Sequence, residues 1–217
     1  LFTAILTLVI AIPLGVIAGA NPQTKLSKGI MAGSIFGISL PSFWMGMMLI
    51  YVFSVSLQIL PASGRAAAGP GGFSFLTPGG WKNLIMPVLT LALGYSATIL
   101  RVTRAGIQEN MKQDYVKFAR AKGVSRRNVL FHHALKNALV PVVTVFGLNI
   151  GHMFAFTTVT ETIFAWPGVG KLLIDSILRN DRPIIVAYLI LVSAMFVVIN
   201  FVVDIIYMLV DPRIELR

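Results

Sequence analysis

Apolar residues in this chain come in long runs, and polar residues form short islands between them. Five runs reach the roughly 17–25 residues that a helix needs to cross a bilayer: residues 2–20, 29–60, 84–100, 138–159 and 184–210. The pattern predicts an all-α integral membrane bundle, one domain over residues 1–217 with five spans. No residue between Lys28 and Arg65 is charged, which is more chain than one straight span requires. That span is therefore expected to tilt or kink, and Pro41 in Ser39-Leu40-Pro41-Ser42 is the expected kink. Glycines within the runs, among them Gly15, Gly19, Gly46, Gly147 and Gly151, predict close helix approach.

Composition agrees. Hydrophobic residues make up 56% of the chain and charged residues 12%, against roughly 25% charged in soluble domains. The net charge of +10 is distributed by side. Alternating spans place 13 Lys and Arg on one side, nine of them between the third and fourth runs, and 5 on the other. The richer side is expected to be cytoplasmic, with the C-terminus. The basic charge is thus explained by topology and lipid headgroups, and no nucleic acid is expected. Cysteine is absent, which removes disulfides, thiolate metal sites and Cys nucleophiles. The chain starts within an apolar run without Met, so the protein is expected to continue upstream, most simply by one further span.

The chemistry-bearing candidates are few. Gly168-Val169-Gly170-Lys171 departs from a phosphate loop, with Ala165 in place of the first Gly and Leu172 after the Lys. Asp204 is the one carboxylate deep within a run, and is read as a structural anchor rather than a proton relay. His132, His133 and His152 have no metal-ligand spacing, and the nine methionines read as core filler. No catalytic residue, metal ligand or bound cofactor is expected. A secondary transporter or channel is disfavoured by scarce intramembrane charge, and a membrane enzyme by the lack of any catalytic constellation.

Two kinds of loop remain. The cytoplasmic segment of about 102–137 reads as two short helices broken at Gly123, with Ser125 capping the second. Tyr115, Phe118, Ala119 and Lys122 share one face by spacing. The segment can be an amphipathic helix lying on the membrane or a docking knob for a soluble partner. Small alanines beside Gly123 and the tight helix pair favour the knob. Outside, residues 58–82 are rich in Gly, Pro and Ala, and residues 161–182 hold the turn Trp166-Pro167-Gly168-Val169-Gly170. An aromatic interface anchor on a stiff turn predicts a segment that folds back to help close the pore mouth. Residues 171–178 after it read as a short amphipathic helix.

These residues carry a resemblance. The chain resembles the permease subunits of binding-protein-dependent ABC importers, in the peptide and nickel branch (dipeptide, oligopeptide, glutathione and nickel permeases). Of the general cytoplasmic signature, E-A-A then G then I-x-L-P, it keeps Ala119, Gly123 and Leu135 and replaces the rest by Lys117, Phe118, His133 and Lys136. Ala119-Arg120-Ala121-Lys122-Gly123 and His133-Ala134-Leu135-Lys136-Asn137 are similar to the branch form. Glu161 to Gly170, Arg179 to Pro183, Val203 to Tyr207 with Asp211-Pro212-Arg213, and Ser39 to Trp44 agree with it in order. The resemblance implies a type I importer bundle of six spans in the bacterial inner membrane. It implies a second, related permease, two ATPase subunits that carry ATP and Mg, and an external substrate-binding protein. Asp114, Tyr115, Phe118, Ala119, Arg120, Ala121, Lys122 and Gly123 would couple to the ATPases. Glu161, Trp166, Pro167, Gly168 and Gly170 would form the external gate. Peptide is the expected substrate, with nickel as the alternative.

Overall fold

The computed structural model describes residues 1–67, 74, 77 and 79–210, except for the side chains of residues 155, 204 and 206–210. The side chain of the expected anchor Asp204, the C-terminal motif at 211–213 and part of the 58–82 loop lie outside what is described. Every regular element described is helical: α1 Phe2–Ala20, α2 Lys25–Ser39, α3 Ser42–Leu49, α4 Gly80–Asn110, α5 Asp114–Ala121, α6 Arg126–Asn128, α7 Leu135–Ile163, α8 Val169–Leu178 and α9 Arg182–Val210. A π-helical stretch, Ile50–Ser56, prolongs α3, and another, Val129–Ala134, joins α6 to α7.

Among the described residues four helical stretches are long and apolar enough to cross a membrane, Phe2–Ala20, Gly80–Asn110, Arg126–Phe154 and Arg182–Val203. The second run, residues 29–60, is not one kinked helix. It breaks into α2 and α3, and the chain bends by 103° at the break. Pro41 explains this: it disfavours helix at the residue before it and begins α3 from an extended φ/ψ of −59°/140°.

The third run also differs. A span ending at residue 100, followed by a loop, was expected, yet α4 continues to Asn110. Arg101 and Arg104 therefore ride on helix rather than loop. The second of the two expected short cytoplasmic helices, likewise, is the start of one helical rod from Arg126 to Ile163.

By internal contacts the chain divides into two units. One comprises Leu1–Leu6, Leu40–Gly94 and Gly151–Val197; the other comprises Thr7–Ser39, Tyr95–Ile150 and the chain from Val198 onward. In the second, Ala11, Ile99, Leu100 and Val142 form a buried cluster, and Val16, Ile107, Ala134 and Ala138 form another. Close approach rests on glycine. A Cβ on Gly15 would lie 2.6 Å from Thr103 Cβ, and one on Gly19 would lie 2.8 Å from Ile107 Cβ. Lipid supplies no hydrophobic force between helices, so such close packing holds α1 to α4. In the first unit a Cβ on Gly46 would touch the Phe164 ring at 3.3 Å. None of the apolar stretch Arg182–Val203 of α9 is buried within the chain.

Candidate functional site

Helix α5 is the one helix between α4 and α6. Asp114 opens it, pairing with Lys117 at 2.8 Å, and the Lys117 ammonium holds its carboxyl below the usual range. A negative charge there also suits the helix dipole. The helix closes in a Schellman motif: the Gly123 amide donates to Arg120 O at 2.9 Å, and the Val124 amide to Ala119 O at 3.2 Å. Gly123 adopts φ +81°, the left-handed conformation this motif demands. Ser125 then caps α6, its Oγ accepting from the Asn128 amide at 3.4 Å.

The inward face of α5 is Val116 and Ala119, packed with Val129 and flanked by Met111 and Val124. Ala119 departs from the expected shared face. Of Tyr115, Phe118, Ala119 and Lys122, only Ala119 is buried; its small side chain serves packing within the chain. Phe118 is 62% exposed, and the Lys122 ammonium sits 4.5 Å above its ring. Tyr115 acts as a rivet: its hydroxyl donates to Asn110 Oδ1 at 2.6 Å and accepts from Asn137 Nδ2 at 2.9 Å. The end of α4 and the start of α7 are thereby tied through α5. Arg126 ties α6 to the end of α1, donating to Ala20 O at 3.1 Å and to Asn21 Oδ1. Arg120, Ala121 and Lys122 are exposed.

The outer turn has its own construction. Helix α7 also ends in a Schellman motif, with Ala165 N–H donating to Thr162 O at 3.2 Å and Trp166 N–H to Glu161 O at 2.8 Å. Here the left-handed residue is Ala165, at φ +45°. Pro167 and Gly168 lead into α8, whose N-cap, Gly168, has no side chain to offer. The carboxylate of Glu161 caps α8 instead, accepting from the Lys171 amide at 2.9 Å. Burial pushes its pKa up, and the amides of Lys171 and Gly170 oppose that shift. Gly168 and Gly170 leave room for it: a Cβ on Gly168 would collide with the Glu161 carboxyl, and one on Gly170 would lie 2.6 Å from Thr158 Cα. Phe164, 2% exposed, anchors the turn, and its carbonyl accepts from the Gly64 amide at 2.8 Å. Glu161 and Trp166 border a cavity of about 310 Å³, also lined by Thr160, Tyr188 and Pro87.

A family model described as "Binding-protein-dependent transport system inner membrane component" matches residues 11–216. The chain belongs to this family. It is 44% identical to the di/tripeptide transport system permease protein DppB of Pseudomonas aeruginosa, over 93% of this chain and 64% of that protein. It is 41% identical to the oligopeptide transport system permease protein AppB of Bacillus subtilis, over 99% and 67%. It is 39% identical to the glutathione transport system permease protein GsiC of Escherichia coli, over 94% and 62%. The chain thus spans about two thirds of the length of these relatives. An inward-facing structure of the MetNI methionine ABC transporter superposes with a TM-score of 0.74 at 17% identity, over 96% of this chain and 89% of that one. The fold is that of a type I ABC importer permease.

In this family member the predicted residues fall into two constellations, α5 with its Gly123 closure and the Glu161 cap with its turn. Sequence reasoning missed Tyr115 as a rivet, Val116 as the seat of α5, Ala165 as the left-handed residue and Glu161 as a cap. Asn110 and Asn137 flanking Tyr115 were the available signal for the rivet; nothing in the sequence marks Ala165. Among the described residues no three His, Cys, Asp or Glu side chains come together.

Proposed function

We propose that this chain forms part of the pore of an ATP-driven importer for short peptides, in the bacterial inner membrane with its C-terminus cytoplasmic. An external binding protein delivers the substrate, and a second, related permease completes the pore. Two ATPase subunits bind ATP and Mg and hydrolyse the nucleotide, while this chain catalyses nothing and holds no cofactor. The observation that carries the reading is α5. It is seated on Val116 and Ala119, riveted by Tyr115 to the helices before and after it, and presents Phe118 outward. A membrane-surface helix needs no such rigid double attachment; a helix that passes force from a soluble motor does. The turn at Glu161, Trp166, Pro167, Gly168 and Gly170 serves as the outer gate, as a packed structure with a defined cap. The names of the relatives favour peptide over nickel.

The test is reconstitution of the full-length permease with its partner permease, ATPases and binding protein in proteoliposomes. Labelled dipeptide should accumulate only with ATP and all partners, and the permease alone should hydrolyse nothing. Uptake of nickel rather than peptide would overturn the substrate. Peptide uptake by the permease alone, driven by an ion gradient, would overturn the mechanism.

A further inference from the structure

Near the end of α1 and the start of α2 lies a cleft of about 870 Å³, bordered also by the last turns of α4 and by α5 and α6. Lys28, Arg104, Lys112, Arg120 and Arg126 line it, and no carboxylate does. None of the five has an ion-pair partner: among the described residues the ion pairs are Lys117–Asp114 and Lys171–Asp175. Arg120 reaches only the Met111 sulfur, at 3.9 Å. Arg104 is half-buried, so its charge is screened less than that of a free surface cation. Five like charges around one concavity repel one another, and a multiply bonded anion would relieve them.

The rest of the lining narrows the choice of anion. Met31, Ala32 and Ile35 of α2 make one side apolar. The cations sit where apolar runs end, at Ala20 and at Lys25–Lys28, the level at which headgroups meet a span. A cationic rim above an apolar wall matches a molecule that is anionic at one end and hydrocarbon at the other. A free phosphate would use only half of the cleft. We propose that this cleft binds the phosphodiester headgroup of an anionic phospholipid, whose acyl chains lie along the α2 wall. Bound lipid would brace the base of α5 from the side of α1 and α2, whichever solute is carried.

The test uses full-length permease in mixed micelles with equal phosphatidylglycerol and phosphatidylcholine of identical acyl chains, with retained lipid counted by native mass spectrometry. Wild type should retain phosphatidylglycerol selectively. Lys28→Gln with Lys112→Gln removes two cations whose ammonium groups make no ion pair, so the fold should survive. One basic residue near an anionic headgroup is worth roughly fivefold, so the pair should lower selectivity on the order of thirtyfold. Lys28→Arg with Lys112→Arg should restore it. Arg127→Gln with Lys136→Gln removes exposed cations of the same region that do not line the cleft, and should leave selectivity intact. Equal retention of both lipids by wild type would overturn the proposal. So would equal losses in the two Gln pairs, or displacement of the lipid by inorganic phosphate. If the cleft variant kept its lipid but lost the ATPase subunits, the cations would serve protein docking and the proposal would fall.

Discussion

Replacing Gly123 separates backbone geometry from contact. Gly123 stands at φ +81° with no heavy atom within 4 Å of where a Cβ would sit. A new side chain therefore meets no neighbour and is opposed only by its own backbone. For an L-residue the left-handed conformation costs about 1–2 kcal/mol, least for Asn and most for a β-branched residue. Alanine should weaken closure of the motif by about 1 kcal/mol, roughly fivefold, and valine by about 2 kcal/mol, roughly thirtyfold. When the motif opens, Val124 leaves Ala119, and the seat of α5 on Val129 loosens. The two buried clusters that pack the spans share no buried residue with this seat. The assay is substrate-stimulated ATP hydrolysis in proteoliposomes holding the full importer, with thermal unfolding of the permease measured alongside. Activity should fall in the order Gly, Asn, Ala, Val, while the unfolding temperature of the bundle stays constant. Valine at wild-type activity would refute the reasoning. Asparagine as damaging as valine would show that size, rather than φ, matters.

Phe118→Asp should leave unfolding unchanged, because an exposed ring is lost, and should weaken ATPase pull-down about thirtyfold, the scale of an aromatic hot spot. Normal pull-down would assign docking elsewhere. Ala165→Gly relieves the left-handed alanine at φ +45° and should stabilise the outer turn by about 1 kcal/mol, read as greater protection of the Trp166 amide from hydrogen exchange. Glu161 lies beyond the apolar stretch Arg126–Phe154, and burial raises its pKa above the ordinary 4.5. Between that value and its raised one, the folded turn holds more proton than the unfolded chain. Stability of the turn should therefore fall as pH rises through this window. Protection factors of the Gly170 and Lys171 amides should follow that fall, and Glu161→Gln should flatten it.

Much of this was legible in the chain. Run lengths located the four helices long and apolar enough to cross a membrane, because such a helix needs about 20 apolar residues in a row. Gly123 and Ser125 announced the turn and the cap by residue type. The misses have physical causes. Residues 29–60 carried no charge to mark a boundary, so one proline had to be weighed as kink or break, and the weighing depends on neighbours the sequence does not show. Glycine at 123 and at 168 looked alike in sequence. One serves a positive φ, whereas the other, at φ −114°, makes room for the Glu161 carboxylate arriving from the preceding helix. Only the fold separates a conformational glycine from a steric one. Spacing put Ala119 on one available face with Tyr115, Phe118 and Lys122, yet Ala119 packs with Val116 against Val129, and Phe118 stays exposed.

The misplaced end of α4 carries the larger lesson. Arg101 was taken as the point where the third span stops, but charge marks where water begins and says nothing of where helix ends. At 1.5 Å per residue the 31 residues of α4 extend about 46 Å, well beyond a hydrocarbon core of about 30 Å. The rod from Arg126 to Ile163 does the same on the returning strand of chain. The segment expected as a loop of some 35 residues is thus two rigid helix extensions joined through α5, with Tyr115 hydrogen-bonded to both. A flexible loop would absorb a push on Phe118 by bending. In the proposed importer two continuous helices would deliver it into the spans, since bending either requires breaking backbone hydrogen bonds along its length. In such an importer the basic residues along these extensions would set topology, while the helix beneath them would supply the stiffness that coupling needs.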